Sequence, residues 1–182
     1  LHNPAHSFPT RRSSDLDAIV LTGGVGPGAY DVVRLAFEPT GTMRFVAVRL
    51  QPGRPQAFGR AAAGPPLFGL PGNPVAAYIS FAAFVEPALR VLRGLDPTAA
   101  PPLPAVAGSA WAKRRGREQH VPVRLADGAD GRVLAVPAGA GGHTHQLSAL
   151  AAADGLAIVA EDVESVRIGD ALAVRRLRAR AR

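Results

Sequence analysis

The chain of 182 residues has no cysteine, which excludes disulfides and thiolate metal sites. Aromatic residues make up only 5% of it, too few to build the stacking platforms of single-strand nucleic-acid binders. Hydrophobic residues reach 47%, yet no uninterrupted apolar run is read as long enough to cross a bilayer. No segment has the basic, apolar and small-residue order of a secretory signal, and no internal repeat is visible. Acids are scarce as well, 14 against 21 Lys and Arg, giving a formal net charge of +7 that could suit an anionic partner. Much of the excess is clustered, however: Arg175, Arg176, Arg178, Arg180 and Arg182 form a basic tail, and Lys113, Arg114, Arg115 and Arg117 a second group. The tail is read as a solvated terminus. With 17 prolines and 20 glycines, the arginine surplus is taken as compositional. The expectation is a soluble, cytoplasmic protein of one or two domains, without a nucleic-acid or membrane partner.

What is present falls into blocks. Residues 1–16, LHNPAHSFPTRRSSDL, have no apolar period and stop abruptly at Asp17. SFPTRRSSDL resembles the conceptual translation of a sequencing-adapter oligonucleotide, so this leader is set aside as non-native, with native sequence expected upstream. DAIVL (17–21) is a strand, TGGVGPG (22–28) a glycine loop, and AYDVVRLAFEP a helix-compatible stretch: half of a βαβ unit. Residues 44–50 alternate and predict one further strand, ending in the rigid turn QPGRP. PLFGL (66–70) is a third strand, followed by PGNP and an apolar helix from Val75 to about Leu92. Asn73 suits its N-cap, Pro74 its first position and Gly94 its stop. The helix is apolar nearly all round, which predicts burial, with a kink at Pro87. The α/β part is thus assigned to 17–95 and a linker to 96–104. A mostly β domain follows over 105–178, with strands at 106–113, 118–125, 132–137, 156–160 and 171–177, and a basic tail at 179–182.

Several places could bind an anion. Glycines let backbone approach a ligand, and a helix start offers N–H groups, so Gly23, Gly24, Gly26 and Gly28 form a candidate oxyanion loop. The spacing is not the dinucleotide fingerprint. Asp31 could hold Mg²⁺ against phosphate oxygens, or could be a first-turn acid favoured by the helix dipole. In an open parallel sheet ligands sit beyond the strand ends, which places Pro52, Gly53, Arg54 and Pro55 with Pro71, Gly72, Asn73 and Pro74 along the same edge as the glycine loop. Arg54 would add a bidentate cation. All three could also be plain rigid turns. The histidines of GGHTH (141–145) lack further ligands for a metal, and Trp111 is read as core or interface.

These motifs resemble one family. DAIVLTGGVGPGAYDVV, the strand ending in QPGRPQAFG, LFGLPGNPVAAYISF with FVEPAL, RGRE at 115–118, GGHTHQLSALAAADGL and VRIGDALAV are similar in order and spacing to the molybdopterin molybdenumtransferases. The resemblance implies an α/β fold: an incomplete three-layer molybdopterin-binding domain like that of the adenylyltransferases, then a small barrel-like β domain. It implies insertion of molybdate into adenylylated molybdopterin with release of AMP, Mg²⁺ as cofactor, and a homodimer in the complete protein. By the same resemblance Asp31 serves the metal, and the PGRP and PGNP loops line the molybdate and pterin-phosphate site. Arg117, Thr144 and His145 face the same cleft from the β domain.

The chain departs from the pattern at four positions. Gly26 stands for a usual Ser, Ala29 for an acid, Gln51 for a frequent Lys and Ala76 for a frequent Ser. The resemblance also implies further N-terminal domains with more acidic site residues, so this polypeptide alone is expected to be inactive. An adenylyltransferase-like nucleotide-binding domain and a non-catalytic scaffold are the rival readings. The β domain and the asparagine of LPGNP speak against the first.

Overall fold

The computed structural model describes residues 15–60, 64–98, 101–139 and 147–177. The leader, apart from Asp15 and Leu16, and the tail at 179–182 lie outside them. Four strands form the first sheet: β1 (Ile19–Thr22), β2 (Met43–Ala47), β4 (Pro55–Arg60) and β5 (Pro66–Leu70), in the order β1-β5-β4-β2. Only β1 and β5 are parallel; β4 runs antiparallel to both of its neighbours. Alternation along β5 divides the two faces. Leu67 joins Val25, Met43 and Ala57 beneath α1 (Val32–Phe37), whereas Phe68 and Leu70 pack against Val85 on the other side. Helix, sheet and helix thus make three layers around a short mixed sheet, not a wholly parallel one.

The second domain is a closed barrel. Strands β6 (Leu103–Ala107), β8 (Glu118–Asp127), β9 (Val133–Pro137), β10 (Gly155–Val159) and β12 (Ala171–Arg176) run β10-β12-β6-β9-β8, and β8 pairs with β10 to complete the ring. Closure leaves these strands no open edge and buries Val121, Val123, Ala135, Ala157 and Val174 inside. Trp111 sits in this core, on β7 (Trp111–Ala112), which forms a small ribbon with β11 (Ser165–Val166). Its indole donates to Gln119 Oε1 at 3.2 Å.

Several expectations need correction. The strand expected at 44–50 is two: β2 stays in the α/β sheet, while β3 (Leu50–Gln51) pairs parallel with β8 of the barrel. The chain turns at Val48, whose amide donates to Arg54 O, because Leu50 then buries against Val75, Ile79 and Leu156 in a cluster shared by both domains. Strand β4 was absent from the sequence reading. Its Ala and Gly residues carry little strand propensity, yet a Cβ on Gly59 would lie 1.9 Å from Thr42 O, so glycine is required there. The strand expected at 106–113 breaks at residues 108–110, and β6 begins inside the stretch assigned as linker.

The apolar helix also differs from its forecast. It runs from Pro74 to Leu92 as α2 (Pro74–Ser80), a π turn (Phe81–Val85) and α3 (Glu86–Leu92). By length and composition it is long and apolar enough to cross a membrane, although Glu86 and Arg90 interrupt its apolar run, and 33% of its most apolar window is buried. Val75, Ile79 and Val85 are fully buried, but Tyr78, Phe81, Phe84, Val91 and Leu92 on other sides are exposed.

The π turn has a definite cause. Pro87 has no amide to donate, and the Glu86 amide reaches back to Phe81 O. Ala82 O is thereby deprived of both its usual i+4 donor and the i+5 alternative. Arg175 of β12 supplies the missing hydrogen, donating to Ala82 O at 2.6 Å across the domain boundary. Replacing Arg175 with Ala leaves a part-buried carbonyl unpaired, so we predict a loss of about 1–3 kcal/mol in urea unfolding. Replacing the exposed Arg176 at the next position is predicted to change stability by less than about 0.5 kcal/mol.

Candidate functional site

The parallel pairing of β1 with β5 brings two loops together. Thr22 lies opposite Leu70, and the Gly23 amide donates to Leu70 O at 2.9 Å. Immediately beyond, a Cβ on Gly72 would come within 3.2 Å of Gly23 Cα, so the TGG and PGN turns touch through bare backbone. Gly23 (φ +84°) and Gly24 (φ +68°) both take the left-handed conformation that glycine permits.

Asp31 lies at the N-cap of α1, one residue outside the helix rather than just inside it. Its carboxylate turns back into the loop and accepts from the Gly28 amide at 2.6 Å. A Cβ at Gly26 or Gly28 would sit 3.0 or 2.8 Å from Asp31 Oδ2. Glycine at both positions is what admits the carboxylate, so a serine at 26 would require it to move. Among the described residues no group of three or more His, Asp or Glu comes together to hold a metal.

The PGRP loop reaches the same edge by another route. Gly69 of β5 pairs with Ala57 of β4, so the start of β4 lies beside the end of β5. The loop leaves β3 through a cis Gln51–Pro52 peptide. Pro52 and Gly53 are buried, Pro55 half-buried and Arg54 exposed, and Arg54 makes no ion pair among the described residues. Gly53 adopts φ +117°, and a Cβ there would meet Ser80 Oγ at 2.9 Å and Leu50 Cδ2 at 3.3 Å. Gln56 Nε2 donates to Gly53 O at 2.7 Å and to Ser80 Oγ at 2.6 Å. Gln51 Oε1 is buried, so this side-chain carbonyl is not presented to solvent.

The three loops therefore share one sheet edge, but two amides of the glycine loop are already used, Gly23 on Leu70 O and Gly28 on Asp31 Oδ2. At the start of α2, Asn73 Oδ1 caps the amides of Val75 and Ala76 at 3.1 Å each. Pro74 has none to offer. Fewer N–H groups are thus left to face an anion, and the exposed Arg54 adds a positive charge at this edge.

The barrel's contribution is uneven. Arg117 is half-buried and follows Gly116 (φ +81°), just before Glu118, whose amide donates to Arg49 O. It thus flanks the entrance of β3, about 10 Å along the strand from the PGRP loop. Thr144 and His145 lie outside the described residues. Of the rest of the basic group, Lys113 has a structural place and Arg114 and Arg115 are exposed. Lys113 is buried and donates to the carbonyls of Arg114, Glu161 and Val163; burial lowers its pKa, partly opposed by Asp162 and Glu161. Arg115 pairs with Glu164 at 3.4 Å. Clefts of about 410 and 400 Å³ lie elsewhere, at the domain junction, and both are lined by Glu86, Arg175 and Arg176. Sequence reasoning missed Gln56 and Ser80; the usable signal was a serine on the otherwise apolar buried stripe of α2.

Comparisons with known proteins match the chain in two stretches, the first beginning within the leader at residue 6. Residues 6–91 match the probable molybdopterin binding domain, and residues 104–177 match the domain IV of the MoeA C-terminal region. Molybdopterin molybdenumtransferase 2 of Mycobacterium tuberculosis is 39% identical over 170 residues, covering 90% of this chain and 41% of the relative. Molybdopterin molybdenumtransferase 1 of the same organism is 32% identical, covering 85% and 37%. The crystal structure of a molybdopterin biosynthesis MoeA protein from Pyrococcus horikosii superposes with a TM-score of 0.65 at 30% identity, covering 87% of this chain and 36% of that one. The chain thus spans about two fifths of the length of these two relatives.

The loop geometry yields a paired prediction. Gly53→Ala combines a forbidding φ with a clash against buried Ser80, and is expected to cost more than about 2 kcal/mol. Gly41→Ala, at φ +68° with nothing within 4 Å of the added Cβ, should cost only about 1 kcal/mol. Chemical denaturation of both variants checks the order.

Proposed function

We propose, for a chain that belongs to the molybdopterin molybdenumtransferase family, that its loop edge is part of the site where molybdate enters adenylylated molybdopterin with release of AMP. The observation that carries this is the meeting of the TGG, PGRP and PGN turns on one edge, with the exposed Arg54, which has no ion pair among the described residues, on one of them. Molybdate and the substrate's phosphates are oxyanions. A planar guanidinium binds such oxygens bidentately, and the glycine turns let them approach the backbone closely. Gly23, Gly24, Gly26 and Gly28 would border the phosphates, Pro52 to Pro55 and Pro71 to Pro74 the molybdate, and Arg117 would add charge from the barrel side.

One carboxylate, Asp31, stands in the glycine loop, with an oxygen engaged by the Gly28 amide. A lone carboxylate suits Mg²⁺, which keeps waters and is commonly held by one or two carboxylates together with substrate phosphates. When bound, Mg²⁺ would offset charge developing on the phosphoanhydride. The chain's own part is to orient: Gly28 N fixes the carboxylate, Asn73 fixes the start of α2, and no nucleophilic side chain is required. We further propose that the complete protein is a cytoplasmic homodimer, with no nucleic-acid or membrane partner.

Because the chain spans about 41% of its relative, the remaining site residues are proposed to lie in segments it lacks. This chain alone is expected to release no AMP from adenylylated molybdopterin, whereas a protein extended by the upstream domains of its relatives should do so. In the extended protein Arg54→Ala should weaken molybdate binding about tenfold, the loss of one charge-assisted contact. Unchanged molybdate affinity in that variant refutes the assignment of the edge.

A further inference from the structure

We propose that Gln56 and Ser80 are positioning residues that set the place of Arg54 in the oxyanion edge. The inference rests on the reading of the PGRP loop as an anion site and extends it to two residues that touch no ligand.

Both side chains are withdrawn from solvent: Gln56 is 6% exposed and Ser80 0%. A buried amide and hydroxyl are costly unless hydrogen-bonded, and here the cost is met in one way only among the described contacts. Gln56 Nε2 has two hydrogens and uses one on Gly53 O, the other on Ser80 Oγ. The first bond closes the PGRP loop on itself, three residues apart. The second crosses to α2 and fastens the loop to the helix whose start is capped by Asn73.

The consequence is geometric. Gly53 is the residue immediately before Arg54, and its carbonyl is held from within while its α-carbon faces Ser80. Rotation of the 53–54 peptide would break the Gly53 bond and swing Arg54 away from the edge. The second and third loops therefore move as one body, with Gln56 as the link. An apolar pair of the same volume could fill this space about as stably, but it would not define where the Gly53 carbonyl points.

The test uses this chain with molybdate as the probe. Its affinity is measured by calorimetry well below the unfolding temperature, beside circular dichroism and thermal unfolding. Ser80→Ala and Gln56→Leu are expected to weaken molybdate binding about tenfold, the size seen when an outer partner of a binding group is lost, while the fold remains. Ser80→Thr keeps the hydroxyl and should bind within about twofold of the parent. A purely structural role would lower the unfolding temperature and leave affinity unchanged. Arg54→Ala separates the two levels. If it weakens binding while Ser80→Ala and Gln56→Leu bind as the parent does, the positioning proposal is overturned and the anion site stands. If Arg54→Ala changes nothing, or the parent binds no molybdate, the reading of the loop fails and the proposal with it. Should Gln56→Leu not fold, the comparison of Ser80→Ala with Ser80→Thr decides alone.

Discussion

The site edge depends on the close approach of two glycine turns at the ends of parallel strands. Gly23 and Gly72 meet with no side chain between them, and the Gly23 amide is bonded to Leu70 O. A Cβ on Gly72 would reach 3.2 Å from Gly23 Cα, and one of the two turns would have to give way by a few tenths of an ångström. Everything placed beyond that junction follows from it: the glycine loop that embraces Asp31, the proline–glycine turn that starts α2, and the PGRP loop carried in from the neighbouring strand.

The second constraint is that the two domains are knitted together rather than merely joined. Strand β3 leaves the α/β sheet to pair with β8, Leu50 buries in a cluster with Ile79 and Leu156, and Arg175 reaches Ala82 O. Because the PGRP loop begins where the chain returns from the barrel, its position answers to both domains. Arg117 is brought beside the same strand by the β3–β8 pairing, which is how a barrel residue comes to flank an edge built by another domain.

How much of this was legible beforehand can be argued from particular residues. The strand–loop–helix at 17–37, the Asn73 cap and the three-loop edge could be read, because glycine, proline and cap residues have local reasons for their positions. Strand β4 could not, since its small residues answer to crowding by Thr42, a contact invisible in a linear pattern. The split of residues 44–50 was hidden for the same reason: alternation persists across the bend, and only the shared cluster around Leu50 decides it. The π turn at residues 81–85 needed a donor 93 positions away in sequence. Within the candidate site, Arg54 and Asp31 could be singled out by residue type. The use of loop amides inside the fold, and the Gln56–Ser80 link, follow from packing alone.

The central claim is that the three turns form one anion-binding edge. Titrating isotope-labelled chain with molybdate while following backbone amide resonances tests it most directly. The account predicts that residues in 22–28, 52–55 and 71–74 shift together along a single binding curve, with the barrel interior unmoved. Shifts confined to the cleft lined by Glu86, Arg175 and Arg176, or loops that respond along separate curves, would contradict it.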